Sequence, residues 1–379
     1  VGLQNGVVVD IGGGSAQVSQ VKNHAFERGQ ALTLGALALS QRFVCSDPIK
    51  KSELKAVQNE IERQLDEVTW LGRESGPVVG LGGTIRNLAK MAAAKQKFPL
   101  QSINGFKLSA LALDEIITQL TELPLDGRRR LPGLVRDRAD IILPGALVIR
   151  AVLKRTGATE LSISESGLRE GLFFEQFWAE LPTPVTPDLR AFSVLNMARF
   201  YGYQPAHTDH VRHLALSMFD QLQPLHGYGR AERELLAAAA LLHDIGTLIR
   251  YNDHHKHSQT LIVSSGLPGY SPREVALIAL LARFHRKGTP TTAEHASLMR
   301  EGDDVRLLRL ASLLRLSEYL ERGRSGVVRA IRVRWDAAKL WLALESEQKP
   351  SVEMWIARRD GLDLMQAAWN RPTELEDGE

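Results

Sequence analysis

Two hydrophobic periods alternate along the first half of the chain. Near its start "GVVVDI" is a continuous apolar run, "AQVSQV" alternates apolar with polar, and "ERGQALTLG" extends as a third run of the same kind. A period of two residues predicts strands, so the "GGGS" between the first two runs predicts a hairpin connection. The spacing turns helical in "LGALALSQRF" and in "KSELKAVQNEIERQLDEVTWL", the second with Ser52 as its N-cap. "GPVVGLGGT" predicts a short buried strand running into Gly82, Gly83 and Thr84, with a helix over Ile85 to Ala94. "ADIILPGALVIRAVLKRTG" reads as a long apolar helix that tolerates Pro144, and "ELSISESGLREGLFFEQFW" as strand, turn and helix. Strands and helices thus alternate to about Trp178, the pattern of an α/β domain.

"LPTPVTPD", residues 181–188, holds three prolines in eight residues and reads as a linker. From Leu189 to about Arg322 nearly every segment has helical spacing, broken at "LHGYG", "SSGLPGYSP" and "RKGTP". After it "VRAIRVRWDAAKLWLALES" alternates as a hairpin around Asp336 and Ala337, and "SVEMWIARRDGLDLMQAAW" resumes helical spacing. The expected organisation is an α/β domain over 1–180, the linker, an all-helical domain over 189–322 and a small α+β unit over 323–379. The buried-looking strand Val7 to Ile11 lies within a few residues of the first one. A domain rarely opens on its functional loop, which predicts that a further segment precedes this chain.

Composition narrows the function classes. A chain of 379 residues, 24% charged and 44% hydrophobic, is an ordinary globular protein of more than one domain. A net charge of +3 excludes a general polyanion sponge, so any basic site is a local arrangement. The single cysteine, Cys45, excludes an internal disulfide framework and is expected to be a packing residue in a reducing, cytoplasmic setting. No apolar stretch approaches the ~20 residues that span a bilayer, so no membrane is expected as a partner, and DNA is not expected as one either.

Three consecutive glycines at a strand end weaken the strand, so they imply positive φ angles or a backbone that something must approach closely. Convergent N–H groups of Gly12, Gly13 and Gly14, with the Ser15 hydroxyl, suit a phosphate. Asp10 at the strand tip suits a hydrated divalent cation, Mg²⁺ being the expected one. Gly82, Gly83 and Thr84 form a second glycine turn, at a helix N-terminus whose free N–H groups also favour anions. Arg86 and Arg169 are the nearest second-tier cations. Arg128, Arg129 and Arg130, together with Arg283, Arg286 and Lys287, could guide a long polyanion.

Nine of the eleven histidines lie between His207 and His285. On the helix "HTDHVRHLALSMFDQL" His207 aims toward the apolar side of Val211, Leu214 and Met218, whereas His213 points away. "AAAALLHDIG" places His243 and Asp244 side by side at the end of a buried helix. Imidazole and carboxylate together form the ligand set that divalent metals use. His257 and His285 could extend it, while His210, His213, His226, His254 and His255 are expected on loops or in solvent. The pattern resembles the HD superfamily of metal-dependent phosphohydrolases, which closes its ligand set with a later aspartate. Here that stretch, "LLRLSEYLERGR", carries Glu318 instead, so a vestigial metal site of His207, His243, Asp244 and Glu318 is expected.

The ordered motifs "VVVDIGGGSAQV", "GLGGTIRNLAKM", "RADIILPGALVI", "SESGLREGLFFE", "HDIGTLIRYNDHHKHS" and "RFHRKG" together resemble the exopolyphosphatase and guanosine pentaphosphate phosphatase (Ppx/GppA) family. The resemblance implies a ribonuclease-H-like lobe of the actin-like ATPase superfamily, followed by the HD-like helical domain and the α+β tail. It implies release of terminal orthophosphate from inorganic polyphosphate or guanosine pentaphosphate by a Mg²⁺-dependent homodimer. "DIGGGS" corresponds to the family's second phosphate loop and "GLGGT" to the turn that contacts adenosine in related kinases. The first lobe, with the glutamate that activates water, normally precedes "DIGGGS", so the chain alone is expected to be inactive. Two other classes stay open: an HD-type nucleotide phosphohydrolase, and a non-catalytic binder of polyphosphate or alarmone.

Overall fold

The computed structural model describes residues 2–72, 76–181, 186 and 188–377. It divides into two compact units, Val1–Phe98 with Ser102–Pro187, and Asp188–Glu379 with Pro99–Gln101. Most of the linker expected over 181–188 lies outside the described residues.

In the first unit six strands form one mixed sheet of order β3-β2-β1-β4-β6-β5. The strands are β1 (Gly6–Ile11), β2 (Ala16–Lys22), β3 (Ala25–Leu32), β4 (Val78–Leu81), β5 (Lys107–Ser109) and β6 (Glu160–Ile163). As the alternating pattern predicts, β1, β2 and β3 are antiparallel neighbours. β1, β4 and β6 run parallel at the centre, with Asp10 beside Leu81. The three-residue β5 is not expected from the sequence because it is too short to show a period.

Helices α1 (Ala36–Phe43), α2 (Lys51–Asp66), α3 (Gly82–Lys95), α4 (Ala110–Glu122), α5 (Leu125–Arg128), α6 (Ile142–Thr156) and α7 (Leu168–Phe177) complete the unit. Every residue from Ile142 to Ile149 is buried, which is why α6 shows no polar face. Pro144 sits in its first turn, where its missing N–H costs no helical bond, and Gly157 ends it at φ 70°. Two helix starts differ from expectation. The N-cap of α2 is Lys50, not Ser52, and the Glu53 carboxylate covers the helix entrance by accepting from the N–H of Lys50 (3.0 Å) and of Cys45 (3.2 Å). Cys45 itself is exposed rather than packed. α3 begins at Gly82 rather than Ile85, so the second glycine turn is the helix's own first turn.

The second unit holds α8 (Leu189–Phe200), α9 (Pro205–Gln221), α10 (Gln223–His226), α11 (Arg230–Leu242), α12 (His254–Ser265), α13 (Pro272–Phe284) and α14 (Asp303–Leu320). It continues with β7 (Val328–Trp335), β8 (Leu340–Ser346), α15 (Ser351–Ile356), α16 (Leu362–Trp369) and β9 (Thr373–Asp377). A single π-helical turn, Ala357–Gly361, joins α15 to α16. β7 and β8 make the expected hairpin, and β9, not expected from the sequence, adds in parallel to β8. The stretches read as 189–322 and 323–379 belong to one compact unit. Gln221 of α9 donates to Ile331 O (2.7 Å) and accepts from Val333 N (2.8 Å), and the Trp369 indole donates to Ser312 (3.2 Å). Those polar bonds join α9 to β7 and α16 to α14 where periodicity alone shows a composition change.

Among the described residues no helix is long and apolar enough to cross a membrane.

Candidate functional sites

Parallel strands deliver their following loops to one end of a sheet, the end where ligands of open α/β folds sit. Here the Gly12–Ser15 loop follows β1, and the N-terminus of α3 follows β4 directly. Gly12, Gly13 and Gly14 are exposed and none has a positive φ, so the turn does not require glycine for its conformation. A Cβ on Gly14 would meet nothing within 4 Å, and one on Gly13 would meet only the Leu37 Cβ at 3.8 Å. What the missing side chains leave is open space over the backbone. Gly12 N donates to Ser15 O (2.9 Å), whereas the N–H groups of Gly13, Gly14 and Ser15 have no partner among the described residues. The loop's carbonyls are turned the other way: Gly12 O accepts from Ala36 N, and Gly13 O from Leu37 N and Ala38 N, each at 3.0 Å. The start of α1 thereby fixes the loop with its donors outward. Gly35, which no sequence pattern marks, makes this possible, since a Cβ there would overlap Gly13 O, Gly14 C and Ser15 N.

Gly82 is the glycine whose backbone needs the residue type, at φ 87°, and a Cβ on it would overlap the Asp10 carboxylate. Burial pushes the Asp10 carboxyl up from its ordinary range, and the Arg86 guanidinium opposes that. Arg86 donates to Glu165 O (3.1 Å), which ties it to the loop after β6. A Cβ on Gly83 would lie 2.5 Å from Arg138 Nη2, so a guanidinium rests directly on the first turn of α3. Nothing in "RDRAD" marks which arginine returns to the glycine turn, so Arg138 escapes sequence reasoning. Thr84 is buried with its methyl toward Gly145, so what it offers an anion is its backbone N–H. Arg169 is exposed on α7. Arg128 is structural rather than a guide for polyanions. It is buried, pairs with Asp47 at 2.7 Å and donates to Leu123 O (3.0 Å) and Ala139 O (3.3 Å).

A second constellation is built from helix ends in the second unit. His207 comes from the start of α9, His243 and Asp244 from the end of α11, His254 from the start of α12, His285 from the end of α13 and Glu318 from the end of α14. All six are buried. His207 Nε2 lies 3.1 Å and His243 Nε2 3.3 Å from Glu318 Oε2. His254 Nε2 lies 3.1 Å from Asp244 Oδ1, and His207 Nε2 is 3.7 Å from Asp244 Oδ2. The outer face is held by Arg324, 2.9 Å from Asp244, and Arg322, 3.2 Å from Glu318.

The same device orients three of the rings. Nδ1 of His243, His254 and His285 stands 2.7–2.8 Å from the carbonyl oxygen three residues earlier, of Ala240, Tyr251 and Ala282. A carbonyl can only accept, so each Nδ1 carries a proton, and a ring that holds no second proton turns its Nε2 lone pair inward, the arrangement of metal-ligating histidines. His254 Nε2 and His285 Nε2 consequently face each other at 3.2 Å. Both nitrogens of His207, His243 Nε2, Asp244 Oδ1 and Glu318 Oε2 are buried without a directed hydrogen bond. Two triads, His207–His243–Glu318 and His243–Asp244–His285, have ligand atoms within 4.8 Å of one another. Burial works against charge on His243, yet the carboxylates of Asp244 and Glu318 hold its pKa up to about 9. His285, buried beside that charge, is pushed down to about 3. Burial would raise the carboxyl of Glu318, but the His207 and His243 imidazoles hold it well below its usual range. The cluster thus stabilises one positive charge between two carboxylates, which a divalent cation would supply more fully.

Three of the histidines expected in solvent are buried instead: His226, His254 and His255. His257 stays outside the cluster, His210 is half-buried on Val328 O (2.8 Å), and only His213 of that group is exposed. His226 fills a structural role. Its Nε2 faces Phe219 O at 2.9 Å and its Nδ1 accepts from Tyr228 N at 2.8 Å, which requires the neutral ring. Burial lowers its pKa from the ordinary 6.5. A depressed histidine contributes stability in full above the unfolded value and loses it as pH falls through the folded one. Thermal melts are therefore expected to show falling stability below pH 6.5, and His226→Phe should narrow the difference between pH 7.5 and pH 5.5 while lowering the melting temperature at pH 7.5. An unchanged pH difference in that variant would assign the acid sensitivity elsewhere.

Residues 3–180 match the model of the Ppx/GppA phosphatase family, and residues 189–358 match that of Ppx/GppA phosphatase, domain III. A guanosine-5'-triphosphate,3'-diphosphate pyrophosphatase of Aeromonas hydrophila is 26% identical over 360 residues, covering 91% of this chain and 68% of that protein. Among solved structures, the Aquifex aeolicus Ppx/GppA family member is 28% identical, with a TM-score of 0.43 over 46% of this chain and 57% of that one. An exopolyphosphatase from Cytophaga hutchinsonii is 22% identical, with a TM-score of 0.42 over 46% of this chain and 57% of its own. The matched region spans just over half the length of these solved relatives.

Proposed function

Because this chain belongs to the Ppx/GppA phosphatase family, we propose that its first unit is the phosphate-holding half of an enzyme that releases terminal orthophosphate from guanosine pentaphosphate or inorganic polyphosphate. The observation that carries this reading is the Gly12–Ser15 loop, where the N–H groups of Gly13 and Gly14, opposite carbonyls held by the start of α1, face the open space the glycines leave at the carboxyl end of parallel strands. Phosphoryl transfer depends on positioning and charge neutralisation more than on covalent chemistry. In this reading the N–H groups of Gly13, Gly14 and Ser15, with the Ser15 hydroxyl, hold the terminal phosphate. The N-terminus of α3 at Gly82, Gly83 and Thr84, with Arg138 lying on it and Arg86 nearby, takes the next groups.

Asp10 fits a Mg²⁺ ion held largely by water and by the substrate's own oxygens, since the loop end offers a single carboxylate and Mg²⁺ needs few protein ligands. The ion would neutralise charge between neighbouring phosphates. Gly12–Ser15 carries no group that could activate water, so this chain is expected to bind substrate without turning it over. Orthophosphate release is measured for this chain and for the protein with whatever its gene encodes upstream, on both substrates. Release by the longer protein and binding alone by this chain support the reading; no release from either substrate by the longer protein refutes it. The expected lobe is ribonuclease-H-like, and homodimerisation and a cytoplasmic setting follow from the same resemblance.

A second reading concerns the second unit, proposed here as HD-like. The inward Nε2 atoms of His207, His243 and His285, and the buried atoms of His207, His243, Asp244 and Glu318 that have no directed hydrogen bond among the described residues, favour a divalent metal centre. A mixed imidazole and carboxylate set suits Mn²⁺, Fe²⁺, Co²⁺ or Zn²⁺ better than Mg²⁺. Such an ion would supply Lewis-acid activation of water or phosphate oxygen.

A further inference from the structure

The two carboxylates of the helix-end cluster each face two ways. Asp244 turns Oδ1 toward His254 Nε2, at 3.1 Å, and Oδ2 toward Arg324, at 2.9 Å. Glu318 turns Oε2 toward His207 and His243, at 3.1 and 3.3 Å, and Oε1 toward Arg322, at 3.2 Å. Both arginines come from one loop, residues 321–327, which joins α14 to β7. Two negative charges therefore meet two positive ones before any ion enters. A centre built only to hold a divalent cation would keep that negative charge for the ion.

Side-chain contacts, not backbone preference, hold this loop in place. Arg324 sits at φ 53°, a left-handed conformation uncommon for a residue with a Cβ. Such strain persists only where the surroundings over-determine it. Here Arg324 is held by Asp244 and by the side-chain oxygen of Gln204, and Arg322 by Glu318 and the Tyr251 hydroxyl (3.3 Å). The buried Glu321 carboxylate closes the loop by accepting from Gly326 N at 3.2 Å. The side chains of Arg324 and Arg322 are 38% and 27% exposed, whereas those of Asp244 and Glu318 are 11% and 3% exposed. The arginines thus stand on the solvent side of the cluster and can turn into water, while the carboxylates cannot. An exposed guanidinium loses little by doing so once its carboxylate has another cation.

We propose that Arg322 and Arg324 are tethered counter-cations that close the cluster in the absence of metal and oppose the entry of a divalent ion. The inference rests on the metal-centre reading of the second unit and names how that centre is regulated. An arginine that merely oriented its carboxylate as a ligand would have the opposite effect, because losing such a partner weakens metal binding. The two roles therefore differ in sign. The full chain, freed of metal by a chelator, is titrated with Mn²⁺, and the free ion is followed by its paramagnetic resonance signal. Arg324→Gln is expected to tighten Mn²⁺ binding by about tenfold to a hundredfold, the effect of removing one partly screened positive charge from beside a divalent ion. Arg322→Gln should act in the same direction. Arg324→Lys keeps the charge but not the planar fork, and should stay within about threefold of the wild type. Thermal melts give a second reading: Arg324→Gln should melt below the wild type in chelator and no lower than it in saturating Mn²⁺. Unchanged or weaker Mn²⁺ binding by folded Arg324→Gln overturns the proposal and leaves the metal centre standing. No binding by the wild type or by any of the three variants removes the metal centre itself, and the proposal with it.

Discussion

Gly13→Val is expected to leave the protein folded and to lower orthophosphate release by about two to three orders of magnitude, the loss seen when a donor aimed at a reacting oxyanion is removed. Gly13 has no positive φ, and a Cβ at that position meets only Leu37 at van der Waals distance, so the fold loses little. The branched side chain instead fills the space beside the outward N–H groups of Gly13 and Gly14. Gly35→Ala reaches the same loop from beneath: its Cβ overlaps the backbone from Gly13 to Ser15 and must displace it. A displacement of about 1 Å can cost a hundredfold in rate, and here some stability is lost as well, because the bonds from Gly12 O and Gly13 O to the start of α1 are disturbed. Phosphate release measured on the full-length protein, beside thermal melts, distinguishes these outcomes. Gly13→Val with wild-type release would return the glycines to the role of a plain hairpin turn.

Chelator-treated protein is expected to gain thermal stability on addition of Mn²⁺, Co²⁺ or Zn²⁺, and little on addition of Mg²⁺. A ligand at a hundred times its dissociation constant adds about 2.7 kcal/mol. For a unit of this size that amounts to a melting shift on the order of 5–10 °C. Glu318→Gln keeps the shape of the side chain and removes the charge shared by His207 and His243, so it should abolish most of the shift. The pH dependence has a defined sign. Without metal, the proton on His243 supplies the positive charge, with a folded pKa of about 9 against an ordinary 6.5. Its contribution is complete below pH 6.5 and is lost as pH rises toward 9. Metal competes with that proton, so the gain in melting temperature should grow over the same interval. A Glu318→Gln protein that responds like the wild type, or a gain that shrinks with rising pH, would mean that the cluster is a satisfied polar core.

The features legible in the amino-acid order are those set by local physics. Three glycines at a strand tip, and two more opening a helix, stand out because glycine weakens regular structure unless space or backbone conformation requires it. For the first set only one of those two reasons holds: the space is there, the positive φ is not, and positive φ belongs to Gly82. His243 and Asp244 are legible because adjacent polar groups ending a buried helix need partners. His254, expected in solvent, and His285, expected only as an extension, are both inside the cluster. His285 lies just after its helix and His254 opens a helix whose apolar face is weak, so for these two, unlike His207, periodicity does not say which way the ring faces. Their signal is the spacing of three residues back to a carbonyl, which becomes meaningful only once the helix ends are known.

By itself the sequence determined the two hydrophobic periods, hence the order of strands and helices, the hairpin around the glycines and the histidine-rich helical part, because these depend on neighbours a few residues apart. Only the tertiary structure decided that Gly35 turns the loop's donors outward, that Arg138 rests on Gly83, that Arg128 is consumed by Asp47, and that five helix ends meet around Glu318. Each of these joins residues far apart in the chain. Their pairing is set by how whole elements pack and by which buried polar groups then find partners, and no local pattern carries that information.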